Sequence, residues 1–272
     1  MIGSDCMERL RRARVLVIGL GAVGSYAVEA LARSGVGRLK LVDFDLINQT
    51  NINRQLFALN STVGKFKHEV AAARVRDINP ACQVDSQRLF VDGENVTALL
   101  KEEKWDFVLD AIDAVGPKVQ LIKALCESGI PFLSSMGAAC RTDPSQIRIG
   151  SLFEIKTCPL AAAVRKRLRK EKIFSGVPCI YSQESAIIAD NSTEEDLLPA
   201  VHPADIPLDT DDVQAKQLQS ELVSDQAWVN GEFQRGRTRR ALGSLPTLTG
   251  IFGLTAANEI ILQLSGFKPA AR

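Results

Sequence analysis

Val15-Leu16-Val17-Ile18 runs directly into Gly19-Leu20-Gly21-Ala22-Val23-Gly24, and a helical pattern follows from about residue 23 to 34. Four apolar residues in succession read as a strand covered on both faces, the kind found inside a parallel sheet. The glycines fit G-x-G-x-x-G. One permits the tight turn, one lets a phosphate approach the backbone, and one seats the helix on the sheet. A helix starting there offers free N–H groups and a positive dipole end to an anion. The glycine spacing alone is a weak signal. Its strand–turn–helix setting makes it a nucleotide site, with Gly19, Gly21, Ala22 and Gly24 against the ligand.

Outward from this stretch the same alternation continues. Residues 39–43 read as a second strand and 64–78 as a helix stopped by Asn79-Pro80. Strands follow at 82–89, 106–110 and 130–134, with helices before the last two. This predicts an α/β fold: a Rossmann-like, mainly parallel sheet with helices on both faces. After Gly137 the pattern changes. Residues 146–152 alternate apolar with polar, which extends the sheet by antiparallel strands, and 159–172 form a strongly basic helix. Residues 190–212 carry eight acidic side chains, no Lys or Arg, and prolines at 199, 203 and 207, the pattern of a long mobile loop. A closing C-terminal helix spans 246–264. One domain over 1–272 is expected, with a nucleotide-binding half at 14–140 and a substrate-facing half at 141–272.

The chain has 272 residues, 46% of them hydrophobic, enough for a sizeable core. Its 33 basic and 32 acidic residues leave a net charge of +1, which excludes a protein that coats polyanions with its whole surface. Any nucleic-acid contact must come from local patches. Six cysteines occur without a C-x-x-C pair, so reduced thiols in the cytoplasm are the simplest reading. The charged N-terminus has no signal-peptide stretch. The apolar run 247–264, interrupted by Asn258 and Glu259, is too short and polar for a membrane span and reads as a buried or partner-facing helix.

Asp43 ends the second strand about twenty residues past the glycines, where a carboxylate holds ribose hydroxyls. To this point NAD and ATP fit equally. The next segments separate them: Asp43-Phe-Asp45-Leu-Ile-Asn-Gln-Thr-Asn51-Ile-Asn-Arg54-Gln55, Val63-Gly-Lys-Phe-Lys67, and Asp110-Ala-Ile-Asp113. A dinucleotide has no use for Asn51, Arg54, Lys67 and a further carboxylate at one mouth. A triphosphate does, since Arg and Lys neutralise it and a carboxylate holds Mg²⁺. Each residue alone could be an ordinary surface charge; the ordered set is hard to read that way.

The series G-x-G-x-x-G, D-x-D, N-x-x-R-Q, G-K-x-K and D-x-x-D resembles the ubiquitin-activating-like (ThiF/MoeB/HesA-type) adenylating superfamily, closely over residues 14–140. The resemblance implies that Asp43 binds ribose and that Asn51, Arg54 and Lys67 grip the phosphates. Asp113 would hold magnesium, with Asp45 beside it. Sulfur-carrier activators of this superfamily usually have two C-x-x-C zinc pairs, which this chain lacks. Its second half is instead similar to the tRNA threonylcarbamoyladenosine dehydratase branch, in Asp110-Ala-Ile-Asp113 with Pro117-Lys118, Gly137-Ala-Ala, Asp143-Pro-Ser-Gln-Ile147, Pro159-Leu-Ala-Ala162, and Pro178-Cys-Ile-Tyr-Ser-Gln-Glu184.

That branch implies an AMP-forming cyclisation. A threonyl carboxylate attacks the ATP α-phosphate, and a nitrogen of the same modification then closes a ring on the activated carbonyl. Arg54, Lys67 and Mg²⁺ would stabilise the charge growing on the phosphates. The resemblance also implies a homodimer and an arginine-bearing segment ahead of Ile2-Gly3, which a chain beginning at Met1 is expected to lack. The acidic stretch 190–212 exceeds the family's usual pattern. Alternatives stay open: an adenylyltransferase for a small sulfur-carrier protein, an NAD-dependent oxidoreductase, or a non-catalytic nucleotide sensor. A sulfur-transfer or electron partner protein is also left open, its identity unfixed by the sequence.

Arg165, Lys166, Arg167 and Arg169, with Lys170 and Lys172, crowd one helix. They read as a tRNA phosphate contact or as a solvated face, and Arg235, Arg237, Arg239 and Arg240 pose the same choice. Cys140 and Cys179 read as small buried thiols, with Cys179 kept as a minor nucleophile candidate. His68 reads as exposed.

Overall fold

The first strand, β1 (Arg14–Ile18), sends Val15 and Val17 into one apolar cluster and Leu16 and Ile18 into another, so it is covered on both faces. The computed structural model describes residues 2–187 and 243–268, together with the backbone of the short pair β8 (Trp228–Val229) and β9 (Glu232–Phe233). Beside β1 lie β2 (Arg38–Val42), β3 (Gln83–Gln87), β4 (Phe107–Asp110), β5 (Phe132–Ser135), β6 (Ile147–Ser151) and β7 (Pro178–Ser182). They form one sheet in the order β3-β2-β1-β4-β5-β7-β6, parallel except for β6, which runs antiparallel to β7 at the edge. The order reverses between β1 and β4. In open α/β sheets a ligand binds outside the strand ends at such a switch point.

The helices fall into two layers. On one face α2 (Gly24–Arg33), α3 (Lys67–Ile78) and the last helix, α7 (Pro246–Ser265), pack on Val15, Val17, Leu39 and Leu41. On the other α4 (Val96–Lys101), α5 (Val115–Ser128) and α6 (Pro159–Lys170) cover Leu16, Ile18, Val108 and Phe132. Parallel strands need such crossovers, and the two layers bury the continuous apolar runs of β1, β4 and β5.

Several boundaries depart from expectation. Residues 4–12 form a helix, α1 (Ser4–Arg12), that the charged N-terminus had not suggested; Leu10 is fully buried, and its carbonyl accepts from the Gly37 N–H at 3.0 Å. Residues 64–66 are not helical. Gly64 has φ +83°, and Phe66 makes an antiparallel bridge to Leu46, so α3 starts only at Lys67. The motif around Cys179 is a strand, β7, which the apolar pattern had not disclosed. The basic helix stops at Lys170, and Lys172 turns left-handed at φ +61°.

The closing helix is longer than expected, at 20 residues, and is apolar enough by length and composition to cross a membrane. It is nevertheless a packed core helix. Leu248, Phe252, Ala256 and Ile260 are buried in the cluster with α2, while Leu254 on the other side is exposed. The stretch 190–212 and the arginines at 235, 237, 239 and 240 lie outside the described residues.

Candidate active site

The turn after β1 is built by close backbone approach. Gly19 has φ +93°, and a Cβ there would stand 2.7 Å from the Ala111 carbonyl, beyond β4. A Cβ on Gly24 would collide with the Gly19 carbonyl oxygen, so both positions exclude any side chain. Helix α2 starts at Gly24 with no side-chain cap; the Ser25 N–H is already taken by the Gly21 carbonyl at 3.0 Å, but the positive dipole end of the helix suits an anion. Gly21 and Ala22 complete this turn.

Asp43, one residue past β2, ties the turn down. Its Oδ2 accepts from the Leu20 N–H at 2.7 Å and its Oδ1 from the Asp45 N–H at 2.8 Å. The carboxylate is buried, and burial pushes its pKa above the ordinary carboxyl value against the pull of Lys67 and the two N–H donors. It therefore stands beside the glycine turn, where a ribose would lie in the reading made from the sequence.

Lys67 and Asp45 are bonded twice. The Lys67 N–H donates to the Asp45 carbonyl at 3.1 Å, and Nζ lies 2.7 Å from Asp45 Oδ2. The Lys67 side chain is 7% exposed, that of Asp45 45%. Burial pulls the Lys67 pKa down, but the carboxylates of Asp43, Asp45 and Asp113 outweigh it and leave it raised. The ammonium thus stays charged at neutral pH, shielded from water and held by one exposed carboxylate. Asp113, exposed in the turn after β4, is close enough to help raise the same ammonium's pKa, the least of the three carboxylates to do so. Asp43, Asp45, Lys67 and Asp113 come from three separate segments and converge at the switch point.

Asn51 is buried, and its side chain accepts from the Asn48 N–H at 3.1 Å, shaping the short helical turn Gln49–Asn51. Arg54, half-buried, donates to the Thr50 carbonyl at 2.9 Å and to Asn53 Oδ1 at 3.0 Å. The segment lies over the start of α2: the Leu56 N–H donates to Ser25 Oγ at 3.2 Å. Buried Gln55 brings its Nε2 to 3.8 Å from where a Gly21 Cβ would be. Gln55 was not among the expected site residues, although it closes the N-x-x-R-Q run. Gln87, at the end of β3, was also missed. Its carbonyl accepts from the Asp43 N–H at 3.3 Å, and its buried Oε1 has no protein partner. No motif marks it; only strand pairing brings it to Asp43.

Among the described residues no three His, Cys, Asp or Glu side chains gather into a metal cage. Magnesium does not require one, since it is commonly held by one or two carboxylates and the substrate's phosphate oxygens. Asp113, exposed, and Asp45, half-exposed and bonded to Lys67, fit that donor set.

Below the turn, Asp110 is fully buried and paired with Lys118, consistent with a structural carboxylate. In the second half, Arg141 is 3% exposed and donates to four carbonyls, those of Gly137, Ala139, Thr157 and Glu184, at 2.7–3.2 Å. It joins segments that looked unrelated in sequence. Cys179 is fully buried, its thiol driven upward by burial, which leaves it no nucleophile at neutral pH. Cys140 is likewise pushed up by burial. His68, expected to be exposed, is buried against Phe66, with Nδ1 3.2 Å from Ser86 Oγ. Of the basic helix, Arg165 is half-buried and donates to the Leu152 and Ile155 carbonyls at 3.1 and 2.6 Å. Arg167 is also half-buried, whereas Lys166, Arg169 and Lys170 face solvent.

The ThiF family model matches residues 1–272. The tRNA threonylcarbamoyladenosine dehydratase of Bacillus subtilis (strain 168) is 46% identical over 187 residues, covering 69% of this chain and 73% of that protein. The crystal structure of E. coli tRNA N6-threonylcarbamoyladenosine dehydratase, TcdA, in complex with ATP superposes with a TM-score of 0.75 at 30% identity, over 97% of this chain and 90% of that one. The molybdopterin-synthase adenylyltransferase of Escherichia coli (strain K12) is 37% identical over 154 residues, 57% of this chain and 60% of that protein.

Proposed function

Since the chain belongs to the ThiF family, we propose that it is an ATP-dependent, AMP-forming enzyme that cyclises threonylcarbamoyladenosine in tRNA with loss of water. The observation that carries the reading is the buried Lys67–Asp45 pair, joined through Asp43 to the glycine turn ahead of α2. A buried ammonium facing carboxylates at a phosphate-binding turn suits a triphosphate and is surplus to a dinucleotide. The dehydratase of Bacillus subtilis matches at 46% identity over 69% of this chain, against 37% over 57% for the molybdopterin-synthase adenylyltransferase of Escherichia coli.

In this reading Asp43 accepts from a ribose hydroxyl. The glycine turn and the positive end of α2 receive phosphate oxygens, and Lys67 leaves Asp45 for the triphosphate. The threonyl carboxylate attacks the α-phosphorus, pyrophosphate departs, and a nitrogen of the same modified base closes on the acyl carbon as AMP leaves. Asp113, with Asp45 beside it, would hold magnesium, which when bound would neutralise charge on the departing phosphates. Lys67 and Arg54 add fixed positive charge, the usual large contribution in such transfers. The exposed Lys166 and Arg169 provide tRNA phosphate contacts, and a homodimer forms through the outer side of α7, where Leu254 is exposed between Thr247 and Asn258.

The test is incubation with ATP, magnesium and bulk tRNA, then mass spectrometry of the released nucleosides. The expected result is loss of water from the modified adenosine, dependent on ATP and not supported by NAD. An unchanged nucleoside, together with pyrophosphate exchange driven by a carrier peptide ending in Gly-Gly, would replace this reading with the carrier-activating one.

A further inference from the structure

Beneath the nucleotide turn lies a polar network sealed from water. Lys118 on α5 places Nζ 2.6 Å from Asp110 Oδ2 and 3.2 Å from Ser134 Oγ, and that hydroxyl donates to the same Asp110 oxygen at 2.6 Å. All three residues are 0% exposed. A buried ion pair is a weak source of stability, because desolvating two charges offsets most of their attraction. What this pair holds in place is more informative.

The second Asp110 oxygen, Oδ1, accepts from the Ile112 N–H at 3.0 Å. Between them, the Ala111 N–H donates to the Ile18 carbonyl at 2.8 Å. The Ala111 carbonyl is the wall against which Gly19 is pressed. Asp113 follows Ile112 directly. The rotamer of Asp110 therefore fixes the backbone that bears Asp113 on one side and supports the glycine turn on the other. With one oxygen anchored by an ammonium and a hydroxyl, the carboxylate cannot swing away from Ile112.

We propose that Lys118, acting through Asp110, is a positioning residue for Asp113: the buried Lys118–Asp110–Ser134 network holds the Ile112 amide so that the Asp113 carboxylate stays near Lys67 and the metal-bearing phosphates. Lys118 touches neither nucleotide nor metal in this scheme. The inference rests on the ATP–magnesium reading above, and the unaltered protein tests that reading by itself, because its affinity for ATP must be higher with magnesium chloride than with EDTA.

The experiment compares that magnesium-dependent gain in ATP affinity, measured by calorimetry, in the parent, Asp113→Asn, Lys118→Met and Ser134→Ala, with a thermal melt of each. Asp113→Asn sets the floor. Lys118→Met is expected to melt lower and to lose about tenfold of the magnesium-dependent gain, the scale of one hydrogen-bonded constraint. Ser134→Ala removes one donor without stranding a charge, and should lose about threefold. A merely structural network would lower the melting midpoint and leave the gain on folded protein at the parent value. That result in Lys118→Met overturns the proposal. Should Lys118→Met not fold, Ser134→Ala decides in the same way: a reduced gain supports the proposal and an unchanged one overturns it. A parent protein without any magnesium-dependent gain removes the metal assignment of Asp113, whatever the variants do.

Discussion

Replacing Lys67 with Met separates phosphate binding from the rest of the nucleotide site. The ammonium lies 2.7 Å from Asp45 Oδ2 with 7% of its side chain exposed. A phosphate oxygen at the same separation would be attracted by about 6 kcal/mol at an effective dielectric near 20. Exchange with water reduces such charge-assisted hydrogen bonds to about 1.5–3 kcal/mol. ATP affinity should therefore fall roughly 10- to 150-fold in Lys67→Met. Adenosine, which lacks the phosphates, should bind as before, because Asp43 and the Leu20 N–H remain bonded. Titration of both ligands into parent and variant reads the difference.

The same substitution has a signature in stability. Asp43 already has a raised pKa through burial, and Lys67 is the charge that opposes this most. An acid whose folded pKa is raised contributes stability that is present below its unfolded value and lost as pH rises through the folded one. Without Lys67 the shift grows, so the variant should fall further behind the parent as pH climbs above the ordinary carboxylate range. Equal losses for ATP and adenosine, or full ATP affinity in the variant, would refute the placement of Lys67 on the phosphates.

Asp113→Asn should keep the fold and much of the ATP binding while turnover, followed as pyrophosphate release with modified tRNA, drops by about a hundredfold or more; release at the parent rate would move the metal assignment to Asp45. Reversing the charges at Lys166 and Arg169, both exposed on α6, should weaken tRNA binding and lower the log–log salt slope by roughly two units without touching ATP affinity. An unchanged slope would make that helix a solvated face.

The middle of the sheet was legible because β1 and β4 are short apolar runs, and β1 carries its own turn motif. The same local logic failed where tertiary pairing overrode it. Residues 64–66 continue a helical pattern, yet the bridge to Leu46 and the positive φ of Gly64 delay α3 to Lys67. Strand β7 lies between β5 and β6, and nothing in Pro178-Cys-Ile-Tyr-Ser announces both partners. The basic helix was visible as composition, but which charges it commits inward was not: Arg165 is tied to two backbone carbonyls of the adjoining turn.

The order of motifs by itself pointed to a nucleotide site at the first strand's end and favoured a triphosphate there. Glycine spacing and charge identity are local properties that survive in a one-dimensional reading. What only the folded chain decided is how those charges stand to one another. Lys67 is buried and still charged because three carboxylates from two separate segments act on it. Asp110 is held inside the fold because Lys118 and Ser134, from α5 and β5, meet it in the dry interior. The cost of burying a charge depends on every neighbour at once, and those neighbours are chosen by the sheet order.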